Sequence, residues 1–181
     1  VDSRVVAYAR GLRFDASPAT YFVQIMDVEL LRTDLLRTIA YAHTQPPLYN
    51  LLIGLVLKAF APDDAGFALV FGLLYGTLGL LQTLALYGLG TALGARPAIA
   101  FAVAAIHMLL PTTLQYENWL LYSHPVACLV VLAAFLFERA LATARLSWTA
   151  LFFACLAALS LTRLTFNWMW FTVCAAAFFA A

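Results

Sequence analysis

The residues best suited to chemistry fall in three short polar stretches. In "HTQPP", His43, Thr44 and Gln45 precede Pro46 and Pro47. Thr44 is a good N-cap, and proline suits the first helical turn because its missing N–H would be unpaired there. Backbone physics alone explains that much. A helix N-terminus also presents free N–H groups and the positive end of the helix dipole, which suits a phosphate, and His43 and Gln45 would add donors. "QYENWLLYSHP" carries Glu117 and His124. Glu117 is an ionisable group at a membrane edge, where such residues mark functional or interfacial positions. Trp119 and Tyr122 beside it fit an aromatic belt. His124 suits either a phosphate or acceptor contact or a cap. "LTRLTFNW" holds Arg163, which either snorkels to the interface or meets an anion such as a lipid phosphate, which arginine grips bidentately. Lys58 allows a similar contact, or marks a helix end at the interface.

These residues belong to a membrane chain. Of 181 residues, 65% are hydrophobic and 10% charged, and mean hydropathy is +0.91. Soluble domains run near half apolar and a quarter charged. The net charge of +1 and the lack of any basic run point away from nucleic acid. Cys128, Cys155 and Cys174 lie inside apolar runs without metal-type or paired spacing, so they read as small lipid- or core-facing residues. The start at Val1 in a polar region and the stop within "CAAAFFAA" lead us to expect an internal or N-terminally clipped piece of a longer polytopic protein.

Two zones position the polar stretches. Residues 1–45 mix both charge signs with apolar residues at helical spacing. Phe22, Ile25, Met26, Leu30 and Leu35 fall roughly on one side, as in amphipathic helices lying on a membrane surface. Residues 46–181 form the transmembrane region. Five spans are expected after the opening helix, over 66–93, 97–115, 122–138, 148–163 and from 166 to the end. Several are short for the ~20 residues a hydrocarbon core demands. Gly72, Gly76 and Gly79 make a small-residue face suited to close helix approach. Arg96, Arg139 and Arg145 lie in loops two spans apart, so the positive-inside tendency puts them in the cytoplasm. Glu117, His124 and Arg163 then face outward.

The opening helix, Pro46 to Phe60, has 15 residues, or roughly 22 Å at 1.5 Å each. That is short of a hydrocarbon core about 30 Å thick. We expect a re-entrant or half-spanning helix, which leaves residues 1–45 on the outer side. Such backbone is tolerated only when buried in protein or lining a cavity. The fold class expected is all-α, a polytopic helical bundle with an amphipathic juxtamembrane N-terminal region.

At "TQPPLYNLLIGLVLKAF", with "RFDASPATYF" about thirty residues ahead, the chain resembles the GT-C membrane glycosyltransferases, including protein O-mannosyltransferases and the lipid A aminoarabinose transferase. "FGLLYGTLGLLQTLALYGLGTALGARPA" and "PTTLQYENWLLYSHP" follow that family's layout, and the resemblance covers nearly the whole chain. It implies transfer of a sugar from a polyprenyl-phosphate donor to a lipid, glycan or protein acceptor, at a bacterial inner membrane with the active site facing outward.

By the same resemblance Asp15 is the catalytic base, or orients the acceptor hydroxyl. A carboxylate can take the proton as that hydroxyl attacks. Asp15 is also placed to cap the helix "SPATYFVQIM", a job for which Ser17 competes, and Asp27 is the second carboxylate for the base. The family's acidic pair is often "DE", whereas Ala16 follows Asp15 here. His43, Gln45, Glu117, His124 and Arg163 are the expected substrate-binding residues. No cofactor is demanded and no metal ligands are assigned, although Asp15 and Glu117 would suit Mg or Mn. A transporter or channel with broken helices is the alternative. An inverted internal repeat would favour it, and none is seen.

Overall fold

The computed structural model describes residues 26–41, 47–61, 64–163 and 165–180. Among these, every regular element is a helix. The helices are α1 (Val28–Thr33), α2 (Leu35–Tyr41), α3 (Pro47–Ala59), α4 (Ala65–Ala92), α5 (Pro97–Leu109), α6 (Pro111–Glu117), α7 (Ser123–Thr143), α8 (Leu146–Thr162) and α9 (Trp168–Ala180). Asp15, His43 and Gln45 lie outside the described residues.

Local chemistry sets the helix ends. Asp27 starts α1 by accepting from the N–H groups of Glu29 and Leu30, each at 3.0 Å. Asp64 starts α4 by accepting from Gly66 N–H at 2.7 Å. Asn167 does the same for α9, accepting from Met169 and Trp170. Each cap satisfies donors that a helix leaves orphaned. At the end of α4, Gly94 takes a φ of +87°, Ala95 N–H reaches Gly90 carbonyl at 3.0 Å, and Gly94 N–H reaches Thr91 carbonyl at 3.1 Å. Glycine is suited to that left-handed stop.

Among the described residues two helices are long and apolar enough to cross a membrane, α4 with 28 residues and α7 with 21. The expected span 97–115 is two helices, α5 and α6, bent by 59° at their junction. Pro111 has no N–H to continue the ladder and pushes Leu110 into extended backbone, at φ −61° and ψ 133°. The bent pair makes a third span if it crosses as one. The expected spans 148–163 and 166 onward appear as α8, with 17 residues, and α9, with 13. Both are shorter than the ~20 residues a crossing requires.

The order of contacts gives the topology. His124 meets Tyr75, Cys128 meets Leu78, and Phe135 meets Gly88, so α4 and α7 run parallel. Gly90 meets Ala100 and Gln82 meets His107, so α5 returns antiparallel to α4. Leu129 meets Cys155 and Arg139 meets Trp148, so α8 returns antiparallel to α7. Arg96, Arg139 and Arg145 therefore sit at one end, and Glu117, His124 and Arg163 at the other. On α5 the buried residues are Ala100 and Ala104, while Phe101 and Ile106 are 67% and 63% exposed. Small residues let this helix approach α4 closely, and its large apolar side chains are left for lipid.

α3 runs antiparallel to α4 but beside only its first third, from Tyr49 opposite Tyr75 to Phe60 against Gly66. It does not traverse the bundle. Its first turn lies level with the Glu117–His124 end, and Lys58 falls in its last turn, away from that end. α1 and α2 pack on its far side, with Leu35 on Gly54. This gives one core of Leu31, Leu35, Ile53, Leu57, Phe67 and Phe71, separate from a second between α7 and α8 built on Leu136, Phe152, Leu156 and Leu159. Met26 and Leu35 are buried as expected, but Leu30 is 53% exposed and Leu31 takes its place. Leu31, four residues before Leu35, joins it in the same core. Phe22 and Ile25 lie outside the described residues.

Candidate functional site

The polar residues converge where α6 turns back onto α4. The Pro111 bend carries α6 across the bundle, and its last residue, Glu117, lays its carboxylate on the Gly76–Gly79 face. A Cβ built on Gly79 would stand 3.0 Å from Glu117 Oε1, and one on Gly76 would stand 3.9 Å away. The small-residue face expected to receive another helix thus receives a carboxylate, and a Cβ on Gly72 would meet nothing within 4 Å among the described residues. Close helix contact occurs lower down, where a Cβ on Gly90 would stand 3.1 Å from that of Ala100.

His124, in the first turn of α7, is 2% exposed. Its Nε2–H donates to the Tyr75 carbonyl at 3.2 Å, and its ring stacks on the Tyr75 ring with centroids 5.3 Å apart. Capping and site roles meet here, since the bond locks the ring and leaves Nδ1 as the acceptor of the neutral imidazole.

A chain of hydroxyls leads from α3 to the same place. The Tyr75 hydroxyl donates to the Leu121 carbonyl at 2.8 Å and lies 2.9 Å from the Tyr49 hydroxyl. Tyr75 has one hydroxyl proton, so Tyr49 is the donor to Tyr75. Tyr49 also meets Tyr122 edge-on, with centroids 6.0 Å apart. Arg163 lies over the other side of this aromatic group, its guanidinium 5.5 Å from the Tyr122 ring centre. That distance is within reach of a cation–π contact. The structure therefore brings Glu117 and His124 together and places Arg163 one aromatic ring away. Asp27, the second carboxylate considered for the base, is occupied as a helix cap.

A cavity of about 260 Å³ opens beside this cluster, between α4, α5, α6 and α7. His124 and Ser123 line it from α7, Thr112, Thr113 and Tyr116 from α6, and Gln82 and His107 from the helices below. The Gln82 amide nitrogen lies 2.8 Å from His107 Nε2. Sequence reasoning passed over Gln82 and His107. The available signal was two polar side chains inside apolar runs, which in a membrane chain face the interior or mark a site. A third such residue, Glu138 on α7, buries its Oε2 without a hydrogen-bond partner.

Among the described residues no group of three or more His, Cys, Asp or Glu side chains is placed to hold a metal ion. Asp15, one of the two carboxylates considered for Mg or Mn, lies outside them. No protein-family model matches this chain, and no curated protein or solved structure does either.

Proposed function

We propose that this chain is part of a membrane glycosyltransferase that takes a sugar from a polyprenyl-phosphate donor, in a bundle whose shorter helices also lie in the bacterial inner membrane. One observation carries the reading. Glu117, His124 and Arg163 gather at the end of the bundle opposite Arg96, Arg139 and Arg145, level with the first turn of α3. Under the positive-inside tendency that end faces outward, where lipid-linked sugars are donors.

In this reading the acceptor oxygen forms its bond to the anomeric carbon as the bond from that carbon to the phosphate oxygen breaks. Asp15 takes the acceptor proton, and the polyprenyl phosphate leaves as an anion. Arg163, with His43 and Gln45 at the start of α3, supplies positive charge and donors where that charge develops. A divalent ion on Asp15 and Glu117 is compatible with the reading and not required by it.

A second reading has its own observation. The bent α5–α6 pair with a polar cavity at its break resembles the interrupted helices of transporters. One experiment separates the two. The full-length protein is reconstituted in sealed vesicles with a polyprenyl-phosphate-linked sugar. The glycosyltransferase reading expects release of polyprenyl phosphate with transfer to an acceptor, abolished by Asp15→Asn. Arg163→Gln should weaken binding of polyprenyl monophosphate by about tenfold, the loss of a charge-assisted hydrogen-bonded contact. Sugar movement across the vesicle wall without donor cleavage would overturn it in favour of transport.

A further inference from the structure

We infer that the cavity between α4, α5, α6 and α7 binds a small, uncharged, hydroxyl-rich ligand of the monosaccharide class. His124 belongs both to this cavity and to the proposed transferase site, but the inference is argued from the cavity walls and does not rest on that reading.

The first argument is an unmet hydrogen bond. Gln82 is 3% exposed, it lines the cavity, and its Oε1 is buried without a partner. Its amide nitrogen is paired with His107 at 2.8 Å. Exchanging the amide oxygen and nitrogen would only move the vacancy, because His107 Nε2–H would then donate to Oε1 and leave the NH2 group unpaired. Either way one end of a buried amide in the cavity wall is left unpaired. A hydroxyl can donate to the oxygen or accept from the nitrogen, so it fits both arrangements.

The second argument is the character of the walls. Among the described residues no Lys, Arg, Asp or Glu lines the cavity, while the Glu117 carboxylate sits next to it on Gly79. That arrangement disfavours a phosphate or carboxylate ligand. The hydroxyls of Thr112, Thr113 and Ser123 offer neutral partners, and the ring of Tyr116, 43% exposed, offers a carbon face. Convergent neutral hydrogen-bonding groups beside an aromatic ring suit a sugar, which has hydroxyls on its rim and C–H bonds on its faces. At about 260 Å³ the space is just under the ~300 Å³ at which drug-sized pockets begin, so one ring is its natural load.

The test uses the full-length protein in nanodiscs and two sets of probes. The first is a panel of methyl glycosides of glucose, galactose, mannose and arabinose; the second is the same sugars linked to polyprenyl phosphate. The expected result is saturable thermal stabilisation by at least one sugar, with slowed amide exchange over residues 107–127. Binding of both forms identifies a free monosaccharide as sufficient, and binding of the lipid-linked form alone identifies a glycolipid headgroup. Gln82→Met removes the amide and should weaken binding by about tenfold, one hydrogen bond's worth. Ala127→Phe fills the cavity from α7, leaves the Gln82–His107 pair intact, and should abolish binding. Should either variant fail to fold, the wild-type exchange pattern decides alone. The proposal is overturned if neither form of any sugar binds, if binding survives Ala127→Phe, or if protection falls outside 107–127. Binding without donor cleavage would support it while sinking the transferase reading.

Discussion

Glu117 rests on the backbone of Gly79, its Oε1 3.0 Å from the point where a Cβ would stand. A glycine face on a membrane helix usually admits another helix, but here it seats a carboxylate beside His124. Gly79→Ala is expected to push Glu117 off α4. The neighbour that must move is the end of a flexible side chain, and alanine is about 1 kcal/mol better than glycine inside a helix. Thermal unfolding should therefore change little or improve, while donor cleavage falls several-fold. Gly72→Ala, with open space around it, is the control and should gain stability with unchanged activity. Equal activity in both variants would remove Glu117 from the site.

The Tyr49–Tyr75–Leu121 chain makes a prediction about asymmetry. Tyr75→Phe leaves the buried Tyr49 hydroxyl without its acceptor and the Leu121 carbonyl without its donor. An unpaired buried group costs about 1–3 kcal/mol. Tyr49→Phe removes the donor at the end of the chain and leaves Tyr75 still donating to Leu121, so it should cost only about 0.5–1.5 kcal/mol. Denaturant titration of the two variants gives the comparison. Equal losses would mean that the bond runs in the other direction or is not made.

Asn50 ties the N-terminal region to α3. It is fully buried, and its Oδ1 accepts from Met26 N–H at 2.9 Å. Asn50→Leu should orphan that N–H and free α1 from α3, read as faster amide exchange over residues 26–33 with little change in α7. Asp27→Ala removes a cap and should cost about 1 kcal/mol. It should leave sugar transfer intact, because its carboxylate is committed to Glu29 and Leu30. A loss of transfer at unchanged stability would return Asp27 to the list of candidate bases.

The helical class and the bilayer-suited face were legible because they depend on composition and local chemistry. The ends of α4, Ala65 and Ala92, fall close to the 66–93 read from hydropathy. Glu117, His124 and Arg163 were placed at a common end by counting spans, which needs only the order of the apolar runs. What was hidden is pairwise. Nothing in a linear pattern says that Gly79 faces Glu117, that Gln82 faces His107, or that Tyr75 faces both Tyr49 and Leu121. The Glu117 contact also depends on a 59° bend, and a proline announces a break without giving its direction. The inward side of α1 was misread for a simpler reason, since Leu31 and not Leu30 stands four residues before the buried Leu35.

That bend yields the last prediction. α5 and α6 together run from Pro97 to Glu117. A straight helix of that length would reach roughly 31 Å, enough for a hydrocarbon core of about 30 Å. Pro111 prevents this by forcing Leu110 out of helix. Pro111→Ala should let the two helices join. A proline inside a helix costs about 3 kcal/mol relative to alanine, which opposes the packing that α6 loses against α4 and α7, so overall stability should shift little. The site would change far more. Glu117 would swing away from Gly79, and the cavity floor formed by Thr112 and Thr113 would turn with it. A Gly79→Cys, Glu117→Cys pair reads this through a short bifunctional thiol cross-linker, since it is the far end of the Glu117 side chain that reaches Gly79. The cross-link should form with Pro111 present and fail with Pro111→Ala. Sugar binding and donor cleavage should be lost in the single Pro111→Ala variant. A cross-link that forms equally well without Pro111 would mean that packing against α4 and α7, not the proline, holds the bend.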